Sequence, residues 1–306
     1  MTDAAPPAVR LVSLTKHFGH DRGVSRLDLD VEPRQVFGFL GPNGAGKSTT
    51  IRLMMGLYRP AFGRAEVLGV DASQVGPAAE VRRRVGYLPG DLALHPQLTG
   101  GETLDRIAGI RGGVDASYRA ALVERFGAEL ARPIRALSKG NRQKIGLVAA
   151  FMHRPELLVL DEPTSGLDPL LQRQFAMLLE ECVDDGATVF LSSHDLAEVQ
   201  RLAHRVAIIR DGRIVADDTV EALRARAPRT VELTFRDRVE PAVFGAVPGA
   251  ELTACSGRRA TFRVSGEIGP LLAAALPLGI VDLEAHSADL DDLFLDYYTE
   301  EAPGAR

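Results

Sequence analysis

Val36-Phe-Gly-Phe-Leu-Gly-Pro-Asn-Gly-Ala-Gly-Lys-Ser-Thr49 reads as a buried strand, a glycine-rich loop and the first turn of a helix. From Gly41 onward it fits the pattern G-x-x-x-x-G-K-[ST], in the strand, loop, helix order that the pattern needs to cradle a polyphosphate. Glycines at 41, 44 and 46 let the backbone turn its N–H groups inward. The helix that begins near Lys47 adds the positive end of its dipole. On this reading Gly41, Pro42, Asn43, Gly44, Ala45, Gly46, Lys47, Ser48 and Thr49 form a nucleotide cradle. Lys47 then reaches the β and γ phosphates, and Ser48 ligates Mg²⁺.

A second apolar run, Leu157-Leu-Val-Leu160, ends in Asp161 and Glu162. Unbroken hydrophobicity marks a strand buried on both faces. Ligands of open α/β sheets bind at the carboxyl ends of such strands. Asp161 is therefore expected to hold the metal through water, and Glu162 to face the attacking water as general base or orienter. Taken alone, an acidic pair after a strand is equally a turn with a helix cap, so its meaning depends on the motifs around it.

The bulk numbers set the frame. With 306 residues, 45% hydrophobic and 25% charged, the chain can bury a sizeable core and is long enough for one large domain plus an appendage. A net charge of −5 argues against a nucleic-acid partner engaged through counterion release. Two cysteines, Cys182 and Cys255, are too few for a disulfide framework or a thiolate metal site. The longest apolar stretch, Leu271 to Val281, is interrupted by Pro277 and falls short of the roughly 20 residues of a spanning helix. The N-terminus has no basic start or apolar run of a secretory signal, so a cytoplasmic location is expected. Of the 36 basic residues only four are lysines, so Lys47 points to a position that wants a compact ammonium rather than a planar fork.

Kinases and GTPases share the cradle, and the discriminating residues lie further along. Leu137-Ser-Lys-Gly-Asn-Arg-Gln-Lys144 begins a helical stretch, with Ser138 placed 23 residues before Asp161. Ser138 is a good N-cap, and with Gly140 it offers a hydroxyl and N–H groups to a phosphate. The segment resembles the signature motif, usually LSGGQ, of the ATP-binding cassette family; Lys139 and Asn141 depart from the commonest form. In the same order, Pro163-Thr-Ser-Gly-Leu-Asp168 is similar to that family's D-loop, and His194 after the strand Thr188 to Ser193 is similar to its switch histidine. Phe18, in Lys16-His-Phe-Gly19, corresponds to the aromatic that stacks on adenine, with a core or loop aromatic as the competing reading.

The resemblance covers residues 9 to about 226. It implies an ATPase that powers a transporter. ATP and Mg²⁺ are the cofactors, and Ser138, Gly140 and Asp168 serve the nucleotide across a head-to-tail pair. The partners it implies are a second copy or close homologue and a separate integral membrane permease, with the chain peripheral on the inner face of the membrane. Cassette ATPases that act on ribosomes or DNA share the chemistry, but they resemble tandem cassettes or carry coiled-coil insertions that this chain lacks. One departure stands out: the family's Q-loop places Gln or Glu after a strand such as Val85-Gly-Tyr-Leu88, whereas here Pro89 is followed by Gly90 and Asp91. Asp91 or a water is expected to substitute.

The expected architecture is an α/β P-loop core, a mixed sheet with an antiparallel layer and a helical subdomain, spanning 9–226. Within it Thr99-Gly-Gly-Glu102 and Asp115 cap two helices, Leu171 to Cys182 lie on an amphipathic helix, Asp211-Gly212 turns a hairpin, and Thr219 caps the closing helix. A small α+β domain follows over 228–300, read as strand 230–235, helix 239–246, strands 251–255 and 260–264, helix 267–276 and strand 280–286. That order is a ferredoxin-like split βαβ. A last helix is expected over 290–298. With the closing Asp289-Leu-Asp-Asp-Leu-Phe294, this region resembles the C-terminal extension of bacterial drug and antibiotic exporter ATPases.

Overall fold

The computed structural model describes residues 6–19, 22–226, 229–245 and 247–286, and the chain divides into two compact units, Met1–Asp217 and Asp218–Arg306. In the first, a six-stranded sheet runs in the order Arg213–Thr219, Arg205–Arg210, Val36–Leu40, Thr188–Ser193, Leu157–Asp161, Val85–Leu88. The inner pairings are parallel. Register aligns the strand ends: Leu40 pairs with Ser193, Ser192 with Asp161, and Leu160 with Leu88. The cradle loop, the acidic pair, His194 and the Pro89–Gly90 turn therefore leave the sheet along one edge.

The uninterrupted apolar runs are explained by a core on each face. Phe37, Phe39, Leu157, Val159 and Phe190 point to one side, where the antiparallel layer packs. Val36, Leu158, Leu160, Val189 and Leu191 point to the other, against helices. Such alternation needs apolar residues at every position. Phe190 is fully buried between Phe37 (centroids 5.8 Å) and Phe39 (5.4 Å). Each such ring stabilises the fold by roughly 1.5–3 kcal/mol through burial.

The antiparallel layer has the order Arg22–Val31, Val9–Phe18, Phe62–Val67, Val70–Asp71. The next helix, Val75–Arg83, has no counterpart among the elements expected from sequence; Gly76 and Pro77 in its first turn obscure its period. The helical part matches the caps read from sequence. Thr99 accepts from Glu102 N–H at 3.2 Å while the Glu102 carboxylate accepts from Thr99 N–H at 2.8 Å, opening the helix Gly100–Ile110. Asp115 accepts from the N–H of Ser117 at 2.9 Å and starts Ala116–Phe126, which buries Leu122 and Phe126. Caps of this kind contribute about 1 kcal/mol each. Beneath the sheet, burial and then the neighbouring Arg111 charge push His153 down to about 4, so it packs as a neutral ring.

In the second unit the sheet order is Ala250–Ser256, Arg259–Val264, Arg229–Phe235, Ile280–His286, every pairing antiparallel. With the helix Gly269–Ala275 this is the split βαβ arrangement. The helix expected over 239–246 is instead a single 3-10 turn, Pro241–Phe244, because Pro241 and Gly245 bracket too few residues for α turns. Helix Val220–Arg226 also falls in this unit, with Thr219 accepting from the N–H of Ala222 at 3.0 Å. The helix expected over 290–298 lies outside the described residues. Among the described residues no helix is long and apolar enough to cross a membrane.

Candidate active site

The cradle sits where its two flanking elements force a tight loop. Gly46 is at φ 114°, and a Cβ there would come within 2.7 Å of Val24 Cγ1. A glycine is required on both counts. The helix Lys47–Met54 then starts with its N–H groups facing a cleft of ≈ 560 Å³. Pro42, Asn43, Gly44, Gly46, Lys47, Ser48 and Thr49 line it; Gly41 and Ala45 lie beneath, with Ala45 O accepting from Gly212 N–H at 2.9 Å.

Lys47 is 6% exposed. Its ammonium donates to the carbonyls of Gly41 (2.5 Å) and Pro42 (3.3 Å) and lies 3.3 Å from Glu162 Oε1. Glu162 lines the same cleft from the end of the strand Leu157–Asp161, two strands across the sheet from the cradle strand. It sits at φ 52°, a left-handed conformation costing a non-glycine residue about 1–2 kcal/mol. Its N–H donates to Ser192 O at 3.1 Å, which holds the turn. The carboxylate is thereby aimed two ways, with Oε2 2.7 Å from His194 Nδ1 and the buried Oε1 making no hydrogen bond. Asp161, 3% exposed, accepts from Ser192 Oγ at 2.5 Å. Its charge, after burial, helps to push the Tyr87 hydroxyl upward.

At the other end of the cleft Phe18 meets Tyr58 edge-on, with ring centroids 5.4 Å apart. Lys16 Nζ stands 5.5 Å from the Phe18 ring. Arg52 donates to Tyr58 Oη at 3.3 Å and also lines the cleft. Neither Arg52 nor Tyr58 was singled out from sequence. Arg52 had a signal, since it stands four residues after Ser48 on the same helix face. Tyr58 had none, because the fold alone brings it to Phe18.

Ser138, Gly140 and Asp168 are not among the residues lining this cleft. Ser138 accepts from Asn141 N–H at 3.2 Å and caps the helix Lys139–Phe151. Asp168 accepts from the N–H groups of Leu170 and Leu171, 3.0 Å each, and caps Pro169–Asp184. The two segments are fastened together: Gln143 Nε2 donates to Pro163 O at 2.9 Å and Lys139 Nζ to Ser165 Oγ at 3.3 Å. A Cβ on Gly140 would stand 2.9 Å from Gly166 O.

Gly90 approaches the site closely. A Cβ at this position would fall 3.1 Å from Asp161 Oδ2 and 3.2 Å from its Cγ. The loop leans directly on the Asp161 carboxylate, while Asp91 is exposed.

Among the described residues no three His, Cys, Asp or Glu side chains converge to hold a metal unaided. One hydroxyl, Ser48, and one carboxylate, Asp161, are hard oxygen donors of the kind Mg²⁺ takes when waters and substrate phosphates complete its shell. The orphaned Glu162 Oε1 beside Lys47 leaves an acceptor facing the same space. The residues present fit the ion.

A family model described as ABC transporter matches residues 24–165. The chain is 35% identical over 295 residues to the Nod factor export ATP-binding protein I of Cupriavidus metallidurans, covering 94% of this chain and 96% of that protein. It is 38% identical over 223 residues to the daunorubicin/doxorubicin resistance ATP-binding protein DrrA of Streptomyces peucetius, covering 71% of this chain and 67% of that one. A solved structure of the ATP-binding subunit of an ABC transporter superposes with a TM-score of 0.65 at 30% identity, over 71% of this chain and 92% of that one.

Proposed function

The chain belongs to the ABC transporter family as an ATP-binding and ATP-hydrolysing subunit, and from that premise we propose that two copies, or one copy and a close homologue, pair head to tail beneath a separate membrane permease on the inner face of the cell membrane. Closure of the pair around ATP powers export of a drug, antibiotic or other hydrophobic compound. The relatives named for Nod factor export and for daunorubicin/doxorubicin resistance support the direction and the cargo class.

The observation that carries the pairing is a division of the site. Lys47, Ser48 and Glu162 line the cleft, whereas Ser138 and Gly140 lie outside it on a segment that Lys139 and Gln143 fasten to the D-loop. In the proposed pair, Ser138 and Gly140 of the second copy complete the first copy's cleft, and Asp168 stations the D-loop at the join. Phe18 and Tyr58 flank the base. Lys47 leaves the Gly41 and Pro42 carbonyls to meet the β and γ phosphates. Glu162 takes the proton of the attacking water, and His194 holds Glu162 through Nδ1 while reaching the γ-phosphate. Mg²⁺, held by Ser48 and Asp161, neutralises phosphate charge when bound. Because γ-phosphate contacts exist only in the closed pair, ATP biases a two-state element.

Mixing two inactive variants tests the division. Lys47→Ala and Ser138→Arg chains, each inert alone, form a mixed pair with one intact composite site, since the Ser138→Arg chain supplies Lys47 and its mate supplies Ser138. With random pairing of equal amounts and independent sites, ATPase activity is expected to recover to about a quarter of the unmodified level, as free mixing of the two chains dictates. A site complete within one chain would recover nothing. For the Q-loop departure, Asp91→Ala is expected to weaken the Mg²⁺ dependence of nucleotide binding several-fold; an unaltered Mg²⁺ titration would assign that role to water alone.

A further inference from the structure

The turn after Glu162 and the turn before His194 are joined by a third carboxylate, Glu198, on the helix Leu196–Leu202 and 6% exposed. Its Oε1 accepts from Thr164 Oγ1 at 2.6 Å and its Oε2 from Ser193 Oγ at 2.5 Å. Thr164 stands two residues after Glu162, and Ser193 immediately precedes His194. The direction of donation is settled locally. Ser193 Oγ accepts from the Asp195 N–H at 3.0 Å, which turns its own proton toward Glu198. Glu198 N–H in turn donates to Asp195 Oδ1 at 3.1 Å, seating the first turn of the helix.

A carboxylate in this place is costly. Burial raises its pKa, the two hydroxyl donors lower it, and the charges of Glu162 and Asp195 raise it again. An apolar side chain of similar volume would pack without that desolvation. What an apolar residue could not do is hold two hydroxyls from separate turns at fixed distance. Both oxygens are used for that, one per turn.

We propose that Glu198 is a positioning residue for ATP hydrolysis: by clamping Thr164 and Ser193 together it sets the separation of Glu162 and His194, so that the pair meets the γ-phosphate and its water as one unit. The clamp rests on the roles proposed for Glu162 and His194. A purely structural Glu198 would stabilise the fold with no dependence on His194. A clamp has no effect left to exert once His194 is gone.

The experiment uses the full chain, with kcat and KM for ATP, the Kd of a fluorescent ATP analogue, and thermal unfolding as a check on folding. Thr164→Val, which keeps the shape and removes the hydroxyl, and Glu198→Gln are compared in unmodified and His194→Ala backgrounds. In the unmodified background each is expected to lower kcat about tenfold with Kd changed less than about twofold. In the His194→Ala background the further loss is expected to be less than about twofold, the non-additivity of residues acting together. If Glu198→Gln does not fold, Thr164→Val decides. Losses that multiply independently of His194, or that fall on Kd instead of kcat, would overturn the clamp. Full turnover by His194→Ala would remove the underlying reading and the clamp with it. Impaired His194→Ala with undiminished Thr164→Val would remove the clamp alone.

Discussion

Glu162→Gln is expected to lower ATP turnover by about 10²–10⁴-fold, the loss typical of removing a positioned general base. The amide matches the carboxylate in shape, so the left-handed turn at φ 52° and the Glu162 N–H bond to Ser192 O have no reason to change. What disappears is proton affinity at Oε2, beside His194, and negative charge at Oε1, 3.3 Å from Lys47. Loss of that charge removes a repulsion toward the incoming phosphate and releases Lys47 from its ion pair. Nucleotide affinity is therefore expected to hold or rise. A nucleotide-bound dimer then accumulates, visible as a shift in size-exclusion chromatography when ATP is added. Turnover at the unmodified rate would remove Glu162 from its assigned role.

Lys47→Ala should fail in the opposite way, at binding. The ammonium is 6% exposed and enclosed by the Gly41 and Pro42 carbonyls and by Glu162. Truncating a buried, hydrogen-bonded charge costs about 2–5 kcal/mol, or at least roughly thirtyfold in affinity. Part of that loss is repulsion from Glu162, left facing the phosphates with no counter-charge. Calorimetric titration with ATP should therefore find the double variant Lys47→Ala/Glu162→Gln binding more tightly than Lys47→Ala alone. A Lys47→Ala chain within about threefold of the unmodified Kd would contradict the assignment of the cradle lysine.

The double variant depends on a contact between residues 47 and 162 that no local pattern announces, and the same boundary runs through the rest of the molecule. The capping box at Thr99, the N-cap at Asp115, the turn at Asp211-Gly212 and the cradle itself were legible because each is decided within a few consecutive residues. The paired strands were legible because a sheet buried on both faces needs apolar residues at every position. The helix Val75–Arg83 was obscured by Gly76 and Pro77, and a helix read over 239–246 proved too tightly bracketed to form more than a 3-10 turn.

Composition, motif order and hydrophobic period, available from the residues alone, specified a nucleotide-cradling α/β core, a split βαβ unit after it, and the candidate side chains of the site. Tertiary structure decided which of those side chains meet. Strand register, set by pairing across up to about 150 positions, put Glu162 against Lys47 and His194, leaned Gly90 on Asp161, and left the helix that Ser138 caps fastened through Gln143 to the turn after Glu162, outside the cleft. The reason is physical: local propensity acts over a turn or a strand, whereas a hydrogen bond between distant segments exists only after the core has fixed their separation to a fraction of an ångström.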